Sequence, residues 1–202
     1  MKYRRFGRLD WQASALGFGC MRLPTLGGDH AQIDEDKATQ MIHYAIDHGV
    51  NYFDSAYGYH GGNSERLLGR ALKGGYREKV RVATKMPTGE VKEYADFDRL
   101  LNEQLSKLDL PYIDFYLLHG LRQDRWDAVC GLGYTSWAEK AVADGRVRHL
   151  GFSFHDSFEA LKAIIDSFDH WTMCQIQYNY MNEQVQAGTR GLEYAASKGL
   201  AV

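Results

Sequence analysis

Short apolar runs alternate with longer segments of helical period along the whole chain, and this alternation constrains the fold more than any other feature. The apolar runs are rich in β-branched and aromatic residues, as buried strands are. Six predicted strands cover 15–23, 51–56, 80–86, 113–119, 147–154 and 174–180, and a seventh begins at Leu200. Repeated strand–helix units imply parallel strands joined by helical crossovers.

The segments between these runs carry apolar residues three and four positions apart, which predicts helices. The first predicted helix has Asp34 as its N-cap and Gly49 after its last turn. The helix after the fifth strand is predicted to begin at Asp156, with Glu159 at the spacing of a capping box. The remaining predicted helices cover 64–73, 97–108, 137–143 and 189–198.

Two architectures fit this repeat, a doubly wound open sheet and a (β/α)8 TIM-type barrel, and periodicity does not separate them. Polar residues at the ends of consecutive strands favour the barrel, because all strand ends surround one mouth there. These residues are Asp54, Lys85, His119 and Ser153, followed by Gln175 and Gln177 in the sixth strand. The interpretation is an α/β fold with one barrel domain over residues 1–202.

The predicted barrel is incomplete, with about six βα units and the start of strand seven. A closed barrel typically needs about 250 residues, and this chain has 202. We therefore expect a fragment that lacks the last strand and two helices. Its unclosed sheet edges would offer a route to self-association.

Composition narrows the classes of partner. The chain has 24 Lys and Arg against 26 Asp and Glu, a net charge of −2, so it lacks the basic surplus that binds nucleic acid or anionic membranes. Its 3 cysteines form no CxxC pair, which leaves no basis for a disulfide framework or a thiolate zinc site. No run approaches the ~18 apolar residues of a membrane span. We expect a cytoplasmic protein with a small-molecule partner.

The segment 51–65 reads Asn-Tyr-Phe-Asp-Ser-Ala-Tyr-Gly-Tyr-His-Gly-Gly-Asn-Ser-Glu, which places Asp54 at a strand end and Tyr59 five residues later. Lys85 ends the next strand and His119 the one after. With these residues the sequence resembles the aldo-keto reductases over essentially its whole length. The phrases His-Gly-Gly-Asn-Ser-Glu and Gly-Phe-Ser-Phe-His-Asp are most similar to a bacterial and archaeal branch that often continues into a ferredoxin-like iron–sulfur segment. This chain has no such cysteine cluster.

The resemblance implies that Asp54, Tyr59, Lys85 and His119 form the family's catalytic tetrad. Adding hydride to a carbonyl builds negative charge on the oxygen, and a nearby proton donor relieves it. Tyr59 is suited to donate that proton, since a cation such as Lys85 within about 4–6 Å favours a phenolate. Asp54 would hold the ammonium, and His119 would orient the carbonyl.

No side chain donates hydride, so a cofactor is required, and the resemblance implies a nicotinamide dinucleotide and no metal. We expect NADP(H) in preference to NAD(H), while the family residues that distinguish the two lie beyond Val202. In the family the carboxamide is held by residues that match Ser153 and Gln175, while Gly19, Cys20 and Met21 approach the cofactor together with Asp54. Phe154 replaces the family's usual Asn. Family residues that grip the phosphates follow strand seven, beyond Val202, so we expect little turnover from residues 1–202 alone.

The function predicted from these residues is hydride transfer between a nicotinamide and an aldehyde or ketone. The aromatic residues Trp126, Tyr134 and Trp137, with the loop 24–33, would rim an apolar substrate pocket, although the tryptophans equally suit packing. One alternative is a non-catalytic, regulatory barrel subunit. Another is a metal-dependent hydrolase, for which only Asp54 and His119 offer ligands.

Overall fold

A computed structural model describes all residues from Met1 to Val202. The strands are β1 (Tyr3–Arg5), β2 (Gln12–Ser14), β3 (Phe18–Gly19), β4 (Tyr52–Asp54), β5 (Arg81–Met86), β6 (Ile113–Leu121), β7 (Val147–Phe154) and β8 (Trp171–Ile176). The helices are α1 (Glu35–Asp47), α2 (Asn63–Ala71), α3 (Ala95–Leu108), α4 (Gln123–Gly131), α5 (Tyr134–Ala143), α6 (Phe158–Asp166) and α7 (Gly188–Ser197).

Strands β3 to β8 form one parallel sheet whose spatial order follows the chain without a reversal. A doubly wound sheet reverses its strand order at a switch point, whereas a barrel adds each strand beside the last. The sequential order therefore decides between the two architectures. The prediction of a partial (β/α)8 barrel is confirmed.

Apolar residues fill both sides of this sheet. A cluster of 44 buried residues lies between the strands and the surrounding helices. A second, smaller cluster on the concave side contains Phe115, Leu117 and Met173. Burial on both faces explains why the strands are continuously apolar rather than alternating.

A hairpin that sequence analysis missed covers the concave cluster at the end of the sheet where the strands begin. Strands β1 and β2 pair antiparallel, with Arg4 opposite Ala13. The turn between them carries Phe6 and Trp11, whose rings lie 4.8 and 5.8 Å from that of Phe115. The aromatic plug leaves the opposite end, at the carboxyl termini of the strands, as the place for a site.

Two predicted strands differ from the structure. The first is shortened to the two residues of β3, because a short 3₁₀ turn begins at Cys20. The Cys20 carbonyl accepts a hydrogen bond from the Ser64 hydroxyl. The sixth begins earlier, at Trp171, which pairs with Leu150, and it ends at Ile176, after which the chain is exposed.

The predicted N-caps have different outcomes. Asp34 caps α1 as predicted, accepting a bond from the Lys37 amide. The prediction of Asp156 as the N-cap of α6 is wrong, since Ser157 accepts the bond from the Ala160 amide. Asp156 instead accepts from the amide of Gln123, at the start of α4.

The segment predicted to rim a pocket contains helix α4, and its aromatic residues belong to the core. Trp126, Tyr134 and Trp137 are all almost fully buried. The ring of Trp126 lies 5.4 Å from Trp171, and that of Trp137 lies 5.2 Å from Phe97. The packing interpretation of these residues therefore replaces the pocket interpretation.

The sheet remains open between its first and last strands. Beyond β8 the chain returns to pair Ala201 with Met173, which agrees with the seventh strand predicted at Leu200. A groove of about 910 Å³ follows, lined by the hairpin, β8 and the last residues. None of the helices has the length and apolarity required to span a bilayer.

Candidate active site

The carboxyl ends of β4, β5 and β6 bring three of the predicted residues to one edge of the sheet. The strands are in register, with Asp54 beside Ala83 and Lys85 beside Leu117. Asp54 ends β4, Lys85 lies one residue from the end of β5, and His119 lies near the end of β6. These three strand ends therefore lie side by side at one edge of the sheet, as expected for a shared mouth.

The Lys85 ammonium is the centre of the site. Its Nζ donates to Asp54 Oδ2 at 2.7 Å, to the Ser55 carbonyl at 2.8 Å and to the Tyr59 hydroxyl at 3.2 Å. The residue is only 2% exposed. A buried ammonium needs this full set of acceptors, because an unpaired charge in the interior is costly.

Asp54 balances that charge. Burial raises the pKa of the Asp54 carboxyl above its ordinary value, and the Lys85 ammonium opposes the rise. The second carboxylate oxygen, Oδ1, is buried without a hydrogen-bond partner. Asp54 is therefore held mainly by Lys85, and the two residues depend on each other.

Tyr59 reaches the ammonium from the loop after β4. It begins a turn, Tyr59–Gly62, immediately before α2, and His60 and Gly61 in this turn have left-handed rather than helical backbone angles. Its hydroxyl contacts Nζ of Lys85, and its ring is only partly buried. The phenol thus has a cation on one side and access to the mouth on the other, which suits a proton donor.

His119 completes the group without touching Lys85. Its ring lies edge-on to the Tyr59 ring, with 5.8 Å between centroids. The ring nitrogens make no hydrogen bond within the protein, while its carbonyl accepts from the Thr88 hydroxyl at 3.2 Å. Burial, followed by the charge of Lys85, lowers the pKa of His119 to about 4. The imidazole is neutral near pH 7 and free to bind a ligand oxygen.

The depressed pKa of His119 predicts a loss of stability in mild acid. The unfolded histidine takes up a proton near its ordinary pKa of about 6.5, while the folded one does so near 4. The contribution of neutral His119 to the free energy of unfolding is therefore complete above about pH 6.5 and is lost as the pH falls toward 4. Between pH 6.5 and 5 a fully buried histidine with this pKa would lower the free energy of unfolding by about 2 kcal/mol. We expect about 1 kcal/mol, because His119 is partly exposed and solvent screens its charge.

The measurement is urea unfolding of the wild-type protein and of His119→Gln at about pH 7 and pH 5. The wild-type protein should lose about 1 kcal/mol more than the variant, because all other titrating groups are common to both. Equal losses in the two proteins would show that burial does not keep His119 neutral.

Two supporting residues of Lys85 and His119 were missed by sequence analysis. Gln104 is fully buried in α3 and donates to the Lys85 carbonyl at 3.1 Å. Its amide oxygen accepts from Tyr116 at 2.7 Å. The sequence carried a signal for Gln104, because its spacing from Leu100 and Leu101 places a polar amide on the buried face of the helix. Thr88, whose hydroxyl donates to the His119 carbonyl, begins a short 3₁₀ turn after β5 that carries no such signal.

Ser153 and Gln175, predicted to hold a carboxamide, are directly paired across β7 and β8. The Ser153 hydroxyl accepts from the Gly120 amide at 2.8 Å, which leaves its own hydrogen available. Gln175 Oε1 is buried with no hydrogen-bond partner. One free donor beside one free acceptor matches the needs of a primary amide.

The predicted residues at the end of β3 have different environments. Gly19 is exposed and pairs with Asp54, which places its backbone at the mouth. Cys20 is fully buried, and burial raises the pKa of its thiol, so the side chain packs rather than reacts. Met21 is 48% exposed. No group of three or more His, Cys, Asp or Glu residues that could hold a metal ion occurs in the structure.

Comparison with known proteins agrees with this geometry. The model of the aldo/keto reductase family matches residues 15–202. The chain belongs to the aldo/keto reductase family. Among curated relatives, a probable aldo-keto reductase 1 from Glycine max is 32% identical over 158 residues, or 74% of this chain and 44% of that protein. L-galactose dehydrogenase from Arabidopsis thaliana is 30% identical over 76% of this chain and 48% of its own length.

Solved aldo-keto reductases share the fold. The holo form of one from Bacillus halodurans superposes with a TM-score of 0.79 at 27% identity, covering 99% of this chain and 64% of that one. One from Klebsiella pneumoniae in complex with NADPH has a TM-score of 0.75 at 25% identity, covering 98% and 65%. The chain spans less than half the length of the curated relatives above.

Proposed function

We propose that this protein interconverts an aldehyde or ketone and its alcohol with a nicotinamide dinucleotide, and that Tyr59 is its general acid and base. The observation that carries the proposal is the contact of one buried ammonium with both Tyr59, at 3.2 Å, and Asp54, at 2.7 Å. Such a pair makes a phenol a better proton donor, because the ammonium stabilises the phenolate that remains.

The proton movement follows from these contacts. Addition of hydride to the carbonyl carbon leaves negative charge on its oxygen. The Tyr59 O–H donates its proton to that oxygen, and Lys85 stabilises the resulting phenolate while Asp54 keeps the ammonium in place. The neutral His119 ring donates one hydrogen bond to the same oxygen and orients it. Oxidation of the alcohol uses the same groups in reverse.

The cofactor is proposed as NADP(H), and it supplies the hydride when bound. The Ser153 hydroxyl would donate to the carboxamide oxygen, and Gln175 Oε1 would accept from the carboxamide nitrogen. Gly19 and Met21 would lie along the dinucleotide. The Klebsiella pneumoniae structure in complex with NADPH supports the choice of NADP(H).

A labelled cofactor tests this function in the complete reading frame that contains the chain. NADPH with deuterium at the transferable position should pass the label to the carbonyl carbon of an aldehyde. Product with no label at that carbon, formed at the normal rate, would contradict the proposal.

Gln175→Leu tests the carboxamide assignment. Loss of the buried acceptor should raise the Kd for NADPH about tenfold, since an unpaired amide costs roughly 1–3 kcal/mol. Gln177→Leu is the matched control, because Gln177 follows the end of β8 and is exposed. Fluorescence titration of NADPH measures both variants, and an unchanged Kd for Gln175→Leu would exclude the assignment.

A further inference from the structure

The residue after Tyr59 has an unusual conformation for its type. His60 has φ of 52° and ψ of 42°, in the left-handed region, and its side chain is fully buried. A residue with a Cβ is strained in this backbone conformation. The surrounding contacts must therefore hold His60 in place, and they show what it does.

Both ring nitrogens of His60 bind the backbone of the β3–α1 loop. Nε2 accepts from the Leu23 amide at 3.1 Å, and Nδ1 donates to the His30 carbonyl at 2.7 Å. One nitrogen that accepts from an amide and one that donates to a carbonyl define a neutral ring with its hydrogen on Nδ1. The ring also stacks on that of His30, with 4.3 Å between centroids.

The residues that follow add contacts to the same loop. Asn63 donates to the Ala31 carbonyl at 3.0 Å, and Ser64 donates to the Cys20 carbonyl at 3.0 Å. Gly61, between His60 and Asn63, has φ of 63°, and a Cβ there would come within 3.3 Å of the Ala31 side chain. The segment His-Gly-Gly-Asn-Ser thus forms hydrogen bonds with two parts of the loop, residues 20–23 and residues 30–31.

We propose that His60 is a positioning residue that holds the Tyr59 phenol against Lys85 by anchoring Tyr59 to the β3–α1 loop. This inference rests on the proposed function of Tyr59. The Tyr59 hydroxyl makes only the 3.2 Å contact with Lys85, so its own side chain does not fix its position firmly. The ring of the adjacent His60 supplies the missing constraint, because its two hydrogen bonds fix it to the backbone of the β3–α1 loop. Displacing a reacting group by about 1 Å can cost roughly 100-fold in rate.

Two substitutions separate the ring's hydrogen bonds from its volume and its backbone. His60→Phe keeps a buried ring but loses both bonds, while His60→Asn tolerates the left-handed backbone but is too short to reach both partners. In the complete reading frame that contains the chain, we expect kcat for carbonyl reduction to fall at least tenfold in both variants. The Kd for NADPH should change less than threefold, because Ser64 still holds Cys20.

His43→Phe is the matched control. His43 also bonds a backbone carbonyl, that of Ala71 at 2.7 Å, and stacks on a ring, that of Tyr76. It lies on α1, away from Tyr59. Its kcat should stay within twofold of the wild-type value. An equal fall in kcat for His43→Phe would show a general loss of stability and overturn the proposal.

Amide hydrogen exchange tests the anchoring without any activity. The Leu23 N–H has His60 Nε2 as its hydrogen-bond partner, so its exchange should be at least tenfold faster in both His60 variants. Exchange of the Val82 amide, bonded to Asp114, should not change. Unchanged Leu23 exchange would overturn the anchoring, and faster exchange with wild-type kcat would overturn the positioning role.

The unsubstituted protein gives an independent check that does not require a variant to fold. The ¹⁵N spectrum of the His60 ring at neutral pH should show the hydrogen on Nδ1, and a hydrogen on Nε2 would refute the proposal. If the wild-type protein, expressed from the complete reading frame, lacks reductase activity but shows the predicted tautomer and Leu23 exchange, the proposed function is refuted while the anchoring remains intact.

Discussion

In the complete reading frame that contains the chain, replacement of Tyr59 by phenylalanine is expected to lower kcat for carbonyl reduction by about 10³-fold, within the range of ~10²–10⁴ typical of a lost general acid. The ring and its packing remain, and only the hydroxyl that contacts Lys85 is removed. Binding of NADPH should be nearly unchanged, because the residues proposed to hold it lie on β7 and β8 and at or just after the end of β3. Steady-state oxidation of NADPH by an aldehyde, with a parallel binding titration, measures both quantities.

Tyr57→Phe is the control for this experiment. Tyr57 lies two residues earlier in the same loop, but its hydroxyl donates to Glu103 at 3.0 Å rather than meeting Lys85. Its loss should change kcat less than threefold. Turnover by Tyr59→Phe at a rate close to wild type would eliminate the proton-donor role.

The second large effect is on stability. Lys85→Met removes one partner of a buried ion pair and leaves Asp54 without its opposing charge. Breaking such a pair typically costs about 3–5 kcal/mol, a large part of the ~5–15 kcal/mol that stabilises a typical domain. Urea unfolding should report this loss, and activity should fall because Tyr59 loses its cation.

The double variant Asp54→Asn, Lys85→Met separates the lost charge balance from lost packing. It should recover at least half of the stability, because no uncompensated carboxyl then remains, yet it should stay inactive. Lys79→Met serves as a control, since Lys79 forms an exposed pair with Asp47 at 3.5 Å and should cost about 1 kcal/mol or less. A Lys85→Met protein as stable as this control would show that the buried pair does not support the site.

Much of the architecture was readable from the sequence, because strands buried on both faces must be apolar throughout and helices must bury one stripe. The β1–β2 hairpin was missed since its strands have three residues each and β1 is exposed, so no periodic pattern marks them. Helix α4 was missed because it buries little more than Trp126 and Val129. The early start of β8 depends on pairing of Trp171 with Leu150, which a local pattern does not reveal.

The site divides in the same way. Asp54, Lys85 and His119 were predictable because each lies at or near a strand end, and parallel strand ends must meet. The role of His60 was not, since its partners are backbone groups of Leu23 and His30, more than twenty-five residues away in the chain. Bonds from a side chain to distant backbone leave no spacing that a sequence pattern can show.

The central claim is that Tyr59 and His119 together bind and polarise a carbonyl oxygen. Infrared difference spectroscopy of a ¹³C-labelled aldehyde, bound with the oxidised dinucleotide so that no turnover occurs, tests it most directly. The carbonyl stretch should move to lower frequency in the wild-type protein and return most of the way to its solution value in Tyr59→Phe. A bound carbonyl with the same frequency in both proteins would contradict the account.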